Sequence, residues 1–125
     1  MDKGTYNLII NLPSDKFLQI GKLGRFLFEK GYYVYTGSAK RGLDARISRH
    51  KRKEKALHWH IDYLLEDAVI IDVKVYAEGL LSECELNQKV FKMEGAEVLA
   101  HGFGASDCKC KSHLAYFRKL PYSIP

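Results

Sequence analysis

The stretch from Gly31 to His50 concentrates side chains that can bind anions or move protons. It holds three tyrosines, and Arg46 and His50 lie four residues apart in it. If the residues after Gly42 form a helix, His50 projects onto its apolar face and Arg46 lies at the edge of that face. Both groups would then point into the protein or into a cleft, where polar groups need partners. This combination indicates a functional site.

A strand and a basic helix are expected to hold these side chains. The aromatic and β-branched run at residues 32–36 favours a strand, and Gly37 predicts a turn that ends it. Leu43 and Ile47 are four residues apart with arginines nearby, which predicts a short helix. The expected order is therefore strand, turn, helix.

The basic charge of the chain is concentrated in residues 40–55. This segment carries eight basic and two acidic side chains, while the whole chain has a net charge of +5. Such a stripe attracts phosphates or acidic surfaces, although a solvated helix face explains the same pattern.

The remaining sequence predicts further strands and a second helix. Strands are expected at residues 4–12, 16–21, 25–29 and 69–76, and a helix at 80–93. Whether residues 97–100 form a further strand is left open, and residues 114–117 fit a last short strand or a turn. The first third is expected to be an antiparallel meander, and residues 69–76 the clearest buried strand. Residues 58–65 fit either a helix or a strand.

The helix at 80–93 carries a second chemical signal. Leu80, Leu86 and Val90 mark its apolar face, Glu83 falls within that face, and Glu85 projects to the opposite side. A carboxylate on the core side of a helix is unfavourable unless it is paired or bound to a metal. Glu83 is therefore a candidate site residue, and Glu85 is expected to be solvated.

Length and composition indicate one folded domain. The chain has 125 residues, of which 46% are hydrophobic and 28% charged. No apolar run is long enough to span a membrane, and Met1 leads into a strand without a signal-peptide core, so a cytoplasmic protein is expected.

The three cysteines do not suggest a disulfide framework. Their number is odd, and Cys108 and Cys110 are too close for an easy mutual bridge. Together with Cys84 and His113 they offer an alternative, a zinc-stabilised interaction domain, although the pattern lacks the usual paired zinc spacing.

Several short motifs occur in an order that resembles a known group of proteins. They are G-T-Y at 4–6, Y-T-G at 35–37, an arginine nine residues after that glycine, a histidine four further on, and the inward helix glutamate. These motifs resemble the GIY-YIG nuclease superfamily over residues 4–92, and the G-S-A-K run is closest to its homing-endonuclease branch. H-W-H-I-D-Y-L, E-C-E-L and G-F-G-A-S-D-C-K-C-K-S-H-L resemble an archaeal family of unassigned function grouped with that superfamily, sometimes fused to a DNA glycosylase.

The resemblance implies a fold and an activity. The fold would be α+β, a small central antiparallel sheet flanked by helices in a single domain, with the core motifs in 4–92 and a C-terminal extension at 93–125. The activity would be metal-dependent hydrolysis of DNA phosphodiester bonds in repair or processing, with Mg²⁺ or Mn²⁺ as cofactor. The expected partners are nucleic acid, DNA before RNA, and DNA-repair proteins such as a DNA glycosylase. A non-catalytic nucleic-acid-binding module with the same fold is the alternative.

The resemblance also assigns roles to residues. Catalytic positions fall on Tyr6, Tyr35, Arg46, His50 and Glu83, and Glu83 is also the metal ligand. The nucleic-acid backbone would be followed by Lys40, Arg41, Arg49, Lys51, Arg52 and Lys53. Accessory candidates are His58, His60 and Asp62, for which hydrogen-bonded packing is the competing explanation, and Ser106, Asp107 and His113, which could replace an asparagine that often closes such sites.

Overall fold

A computed structural model describes residues 3–77, 79–105 and 108–121. In that part of the chain six strands and three helices follow in the order β1 (Gly4–Leu12), β2 (Lys16–Ile20), β3 (Gly24–Phe28), β4 (Gly31–Ala39), α1 (Leu43–Lys51), α2 (His60–Leu65), β5 (Val69–Ala77), α3 (Glu83–Phe91) and β6 (Leu114–Phe117). None of the helices in these ranges is long and apolar enough to cross a membrane.

The centre of the molecule is a four-stranded sheet in the order β5-β1-β4-β6, with all neighbours antiparallel. This confirms the predicted α+β fold, a small antiparallel sheet flanked by helices in one domain. The last strand comes from the predicted C-terminal extension and pairs with β4, so this extension completes the sheet.

The expected meander in the first third of the chain is wrong. β2 and β3 form a separate hairpin, and β1 pairs with β4 along its whole length, from Gly4 opposite Ala39 to Leu12 opposite Gly31. The hairpin exposes most of its side chains, whereas β1 and β4 are almost entirely buried. Strands that are buried on both faces belong in the middle of a sheet, because an apolar strand gains most there.

Two details of the predicted strands also need correction. Gly37 does not end the tyrosine strand, because β4 continues to Ala39. Residues 69–76 do form a strand, but β5 is an edge strand without a buried residue, and Val69 and Ile71 are 52% and 48% exposed. Its β-branched residues reflect strand propensity and not burial.

Helix α3 begins later than predicted. Ser82 caps it by accepting a hydrogen bond from the backbone N–H of Glu85, whose carboxylate in turn accepts from the N–H of Ser82. This capping box defines the start of the helix. Leu80 lies before it and is 66% exposed, so its assignment to the apolar face was wrong, while Leu86 and Val90 are buried as expected.

The two open choices in the second half of the chain are also settled. Residues 58–65 contain a helix, α2, and not a strand. Residues 97–100 form no strand; Glu97 makes only a single bridge to Tyr116.

The sheet separates two apolar layers. One face, with Leu8 and Ile10, packs against residues of α1 and α2. The other, with Ile9 and Val34, packs against Val90 of α3. The first turns of α1 and α3 therefore approach the same end of β4 from opposite sides.

Candidate active site

An open cavity of about 320 Å³ lies at this end of β4. Its lining residues come from both central strands, all three helices or their first turns, and the loop before β6; they are Tyr6, Tyr35, Gly37, Ser38, Arg46, His58, Trp59, His60, Glu83 and Gly104. Four of the five side chains predicted to be catalytic are among them. They thus converge on one cavity although they are far apart in the sequence.

The pairing of β1 with β4 brings the two tyrosines together. Tyr6 lies opposite Gly37, and Tyr35 lies two residues before that glycine, so both rings project from the same face of the sheet. Their ring centres are 6.4 Å apart. A Cβ atom at Gly37 would lie 2.5 Å from the hydroxyl oxygen of Tyr6, so only glycine leaves room for this ring.

Tyr6 also contacts the predicted catalytic histidine. Its hydroxyl oxygen lies 2.8 Å from Nε2 of His50, which α1 buries behind the cavity. Burial lowers the pKa of His50 to about 4, so the ring is neutral at neutral pH. Burial raises the pKa of both tyrosines, and the positive charge of Arg46 opposes this shift.

Arg46 is held at the mouth of the cavity by two contacts. Its guanidinium donates a hydrogen bond to the backbone carbonyl of Ser38, and its central carbon lies 4.9 Å from the centre of the Trp59 ring. Both contacts orient the planar group without neutralising its charge.

Glu83, the first residue of α3, reaches the cavity from the opposite side. One carboxylate oxygen accepts a hydrogen bond from the hydroxyl of Ser38, and the other lies 2.7 Å from Nδ1 of His113. Burial alone would raise the pKa of Glu83, but the bonds from His113 and Ser38 lower it below its ordinary value. With its pKa lowered, the carboxylate is ionised at neutral pH. The Glu83 side chain is 30% exposed, so it is still open to solvent.

One predicted accessory residue supports the wall of the cavity. The fully buried carboxylate of Asp62 accepts two hydrogen bonds from Arg49, at 3.0 and 3.1 Å, and two more from the backbone N–H groups of His58 and Trp59. Burial would raise the pKa of Asp62, but these donors lower it. Arg49 also packs on the Trp59 ring at 4.5 Å. Asp62 does not line the cavity.

The two predicted accessory histidines of this segment do line it. His60 accepts a hydrogen bond at Nδ1 from the backbone N–H of Gly104, and burial lowers its pKa. His58 is exposed and packs edge-on against Trp59. A neutral His60 leaves its Nε2–H directed away from the loop and available as a donor.

The residues predicted to follow a nucleic-acid backbone fall into two groups. Arg49 is paired with Asp62, and the ammonium group of Lys53 donates to the carbonyls of Leu65 and Ala68. The other four, Lys40, Arg41, Lys51 and Arg52, are exposed at the two ends of α1. The second group has the exposure that contact with a polyanion needs.

Three residues were predicted to replace the asparagine that often closes sites of this type, and the structure describes one of them. Ser106 and Asp107 lie outside the described residues, so their prediction stays open. His113 is buried beside Glu83 and occupies one of its oxygens.

Two cavity residues were missed by the sequence analysis. Ser38 donates to Glu83 through its side chain and accepts from Arg46 through its backbone, and Trp59 packs against two arginines. Ser38 directly follows the Y-T-G motif, which was the only available signal; the role of Trp59 depends on the position of α2.

A second group of side chains lies behind His113. Cys84, Cys108, Cys110 and His113 place four ligand atoms within 4.8 Å of one another, and all three cysteines are free. We call these four residues the cysteine cluster. Because thiolates and imidazole bind transition metals, this cluster could hold a metal ion.

Comparison with known proteins gives a family without an assigned activity. No curated protein and no solved structure matches the chain. A family model described as "Domain of unknown function DUF123" matches residues 5–123, which include every described residue of the cavity and of the cysteine cluster. The chain therefore belongs to the DUF123 family.

Proposed function

We propose that this protein is a metal-dependent endonuclease of the GIY-YIG type, which hydrolyses phosphodiester bonds of DNA during repair or processing. The observation that carries the proposal is the convergence of Tyr6, Tyr35, Arg46 and Glu83 on one open cavity. The resemblance of the motifs predicts these residues as a set, and no rule of packing requires a set drawn from two strands and two helices to share a polar cavity.

The donor atoms around Glu83 fit a divalent cation. Each oxygen of the carboxylate accepts one hydrogen bond, from Ser38 or His113, and keeps a further lone pair, while the side chain lines the cavity. Mg²⁺ is usually held by one or two carboxylates and several waters, so a single partly exposed glutamate suffices. When bound there, Mg²⁺ or Mn²⁺ would neutralise phosphate charge and stabilise the leaving oxygen.

The residues of the cavity have complementary roles in this reaction. The guanidinium of Arg46 binds non-bridging phosphate oxygens and favours the more negative transition state. Tyr6, in its deprotonated form, takes the proton of the attacking water, and its oxygen lies 2.8 Å from Nε2 of His50, which holds the ring in place. The water oxygen bonds to phosphorus, the bridging P–O bond breaks, and the alkoxide formed takes a proton from solvent. Tyr35 packs beside Tyr6 and lines the same cavity.

A cleavage assay tests the proposal. Branched, nicked and plain DNA duplexes are incubated with the protein and Mg²⁺ or Mn²⁺, and the products are separated on denaturing gels. We expect cutting that is lost in Tyr6→Phe, Arg46→Ala and Glu83→Ala. Matched controls are Tyr32→Phe on the neighbouring strand β4, Arg118→Ala, which is exposed beyond β6, and Glu85→Gln, which keeps the capping box of α3; these variants should cut normally.

A second candidate function is a nucleic-acid-binding module without turnover. It is favoured by Glu83, because both of its carboxylate oxygens already have protein partners that a cation would have to accommodate. In that case the protein would bind the same DNA substrates through the exposed basic residues at the ends of α1, and the binding would weaken with salt. It would cleave none of them with either Mg²⁺ or Mn²⁺. This outcome would rule out the endonuclease and leave the binding module.

A further inference from the structure

The cysteine cluster joins α3 to the loop that precedes β6, and the described residues between these two elements, 92–105 and 108–113, contain no further strand or helix. Cys84 is the second residue of α3, whereas Cys108, Cys110 and His113 come from the loop that precedes β6. The described residues between α3 and β6 form turns and a single bridge, so few backbone hydrogen bonds tie this segment to the sheet. A ligand shared by all four side chains would fasten the loop to the helix.

The distances fit a small tetrahedral ion. A zinc ion with bonds of about 2.3 Å to sulfur and 2.0–2.1 Å to nitrogen separates its ligand atoms by roughly 3.5–3.8 Å. The four ligand atoms of the cluster lie within 4.8 Å of one another, and Nε2 of His113 is 3.1 Å from the sulfur of Cys108. Side-chain adjustments below about 1 Å, well within rotamer freedom, would complete such a sphere.

The orientation of His113 supplies an independent observation. Its Nε2 faces the sulfur of Cys108, and its Nδ1 lies 2.7 Å from the carboxylate of Glu83. Histidines that bind a metal usually donate their other N–H to a carboxylate or carbonyl, which fixes the tautomer and the ring plane. A purely structural histidine has no need to direct one nitrogen at a carboxylate and the other at three thiols.

We propose that Cys84, Cys108, Cys110 and His113 bind one structural zinc ion, and that Glu83 orients His113 as a zinc ligand. Three thiolates and one imidazole close the tetrahedron, so no position remains for water or substrate, which distinguishes a structural from a catalytic zinc site. On binding, each thiol that still carries a proton releases it to solvent. The zinc ion itself does not depend on the proposed endonuclease activity, since it can be measured without DNA.

Metal analysis of the purified full chain tests the site directly. We expect one zinc per chain, retained on dialysis against EDTA under conditions that strip Mg²⁺. Cys84→Ser, Cys108→Ser and Cys110→Ser should each lower the zinc content well below one. The matched control is Lys109→Ala, because Lys109 is exposed between two of the ligands and should leave the content at one. A wild-type chain without zinc, or with iron in its place, would overturn the proposal.

Replacement of zinc by Co²⁺ keeps the test valid if a cysteine variant fails to fold. The wild-type protein titrated with Co²⁺ should develop intense visible bands of a tetrahedral site together with sulfur-to-cobalt charge transfer. Weak bands typical of six oxygen ligands would contradict the assignment. Free-thiol titration gives a further measure: zinc should protect all three cysteines from a thiol reagent, and removal of zinc by a strong chelator should expose them.

The part of the proposal that concerns Glu83 needs a readout other than cleavage, because Glu83 also belongs to the candidate active site. Competition with a chromophoric chelator measures zinc affinity, and Glu83→Gln should weaken it by about tenfold or more while the cobalt spectrum keeps its four-ligand form. Glu85→Gln, on the same turn of α3, should leave the affinity unchanged. Equal zinc affinity in Glu83→Gln and the wild-type chain would remove Glu83 from the site and leave the four ligands. Loss of cleavage in Glu83→Gln at full zinc affinity would assign Glu83 to the active site alone.

Discussion

The cavity and the cysteine cluster lie on opposite sides of one hydrogen bond, between Glu83 and His113. Their side chains offer different types of metal ligand. The cavity presents a carboxylate, hydroxyls and a guanidinium, and it is open to solvent. The cysteine cluster presents three sulfurs and one ring nitrogen, all partly or fully buried. Oxygen donors favour Mg²⁺ and Mn²⁺, and thiolates favour Zn²⁺.

The difference in ligands would allow one small domain to bind the two proposed metals at separate places. Selectivity between divalent ions depends on ligand type and geometry, because intrinsic affinity alone favours zinc over magnesium at most protein sites. Here the three sulfur ligands lie together on one side of His113, and the carboxylate of Glu83 lies on the other side, against its Nδ1. Apart from changes at Glu83, which touches both regions, we therefore expect changes in the cavity to alter the proposed cleavage and to leave the zinc content of the cysteine cluster unchanged.

The largest expected effect separates the two regions. Tyr6→Phe and Arg46→Ala should each lower single-turnover cleavage by roughly 10²–10⁴-fold, since they remove the proton acceptor or the phosphate ligand. The zinc content should stay at that of the wild-type chain. If either variant lost zinc together with activity, the two regions would not be separable.

The pH dependence of cleavage probes the cavity alone. Burial raises the pKa of Tyr6, so the fraction of its base form at neutral pH is small and grows with pH. The wild-type rate should rise about tenfold for each pH unit between roughly pH 6 and pH 8, and the residual rate of Tyr6→Phe should rise much less. A flat profile in the wild-type chain would exclude Tyr6 as the proton acceptor.

Removal of the buried carboxylate behind the cavity should weaken the fold. Asp62→Ala leaves the guanidinium of Arg49 unpaired and removes two backbone partners, so we expect a loss of about 3–5 kcal/mol in the free energy of unfolding. Urea denaturation measures it. Glu66→Ala, an exposed position at the end of α2, should change stability by less than about 0.5 kcal/mol.

Acid should destabilise the cavity through His50. Its pKa falls from 6.5 in the unfolded chain to about 4 in the folded protein, so only the unfolded chain gains a proton between these values. The associated stability is fully present above pH 6.5 and is lost as the pH falls toward 4, by about 3 kcal/mol. His113 has a raised pKa and acts in the opposite direction, so the comparison is between the wild-type chain and His50→Gln, whose unfolding free energy should depend less on pH.

The smallest effect is expected at Gly37. A methyl group there would collide with the hydroxyl of Tyr6, so Gly37→Ala should cost about 1–3 kcal/mol of stability and displace the ring. Urea denaturation gives the cost, and the rate of cleavage gives the effect of the displacement. Unchanged values of both would show that the two strands can separate enough to admit the side chain.

The sequence allowed much of the fold to be predicted, because strands β1 and β4 and helices α1 and α3 carry strong periodic patterns. Glu83 was predicted to point inward from helix periodicity alone, and it does reach the cavity. The sheet order was beyond prediction, since nothing local distinguishes a strand that pairs with its neighbour in sequence from one that pairs across a hairpin. The apolar composition of β5 suggested a buried strand, because the sequence does not show that β5 lies at the edge of the sheet.

Site residues that belong to a sequence motif could be predicted, whereas those that reach the site only through contacts between distant elements could not. Tyr6 and Tyr35 follow from motif and strand parity, but Ser38 and Trp59 owe their roles to the relative placement of β4, α1 and α2. The cysteine cluster was only an alternative at the level of sequence. Its spacing is unlike that of common zinc motifs, and only the fold brings Cys84 to the other three ligands.

The pairing of β6 with β4 has a practical consequence for protein engineering. The recognisable motifs end near Phe91, which invites a minimal version that stops there. Such a truncation would strip the inner strand β4 of its neighbour at residues 32–35 and remove His113 from Glu83. The uncovered backbone would then offer a long, apolar edge for self-association, so a functional fragment has to extend at least through Phe117.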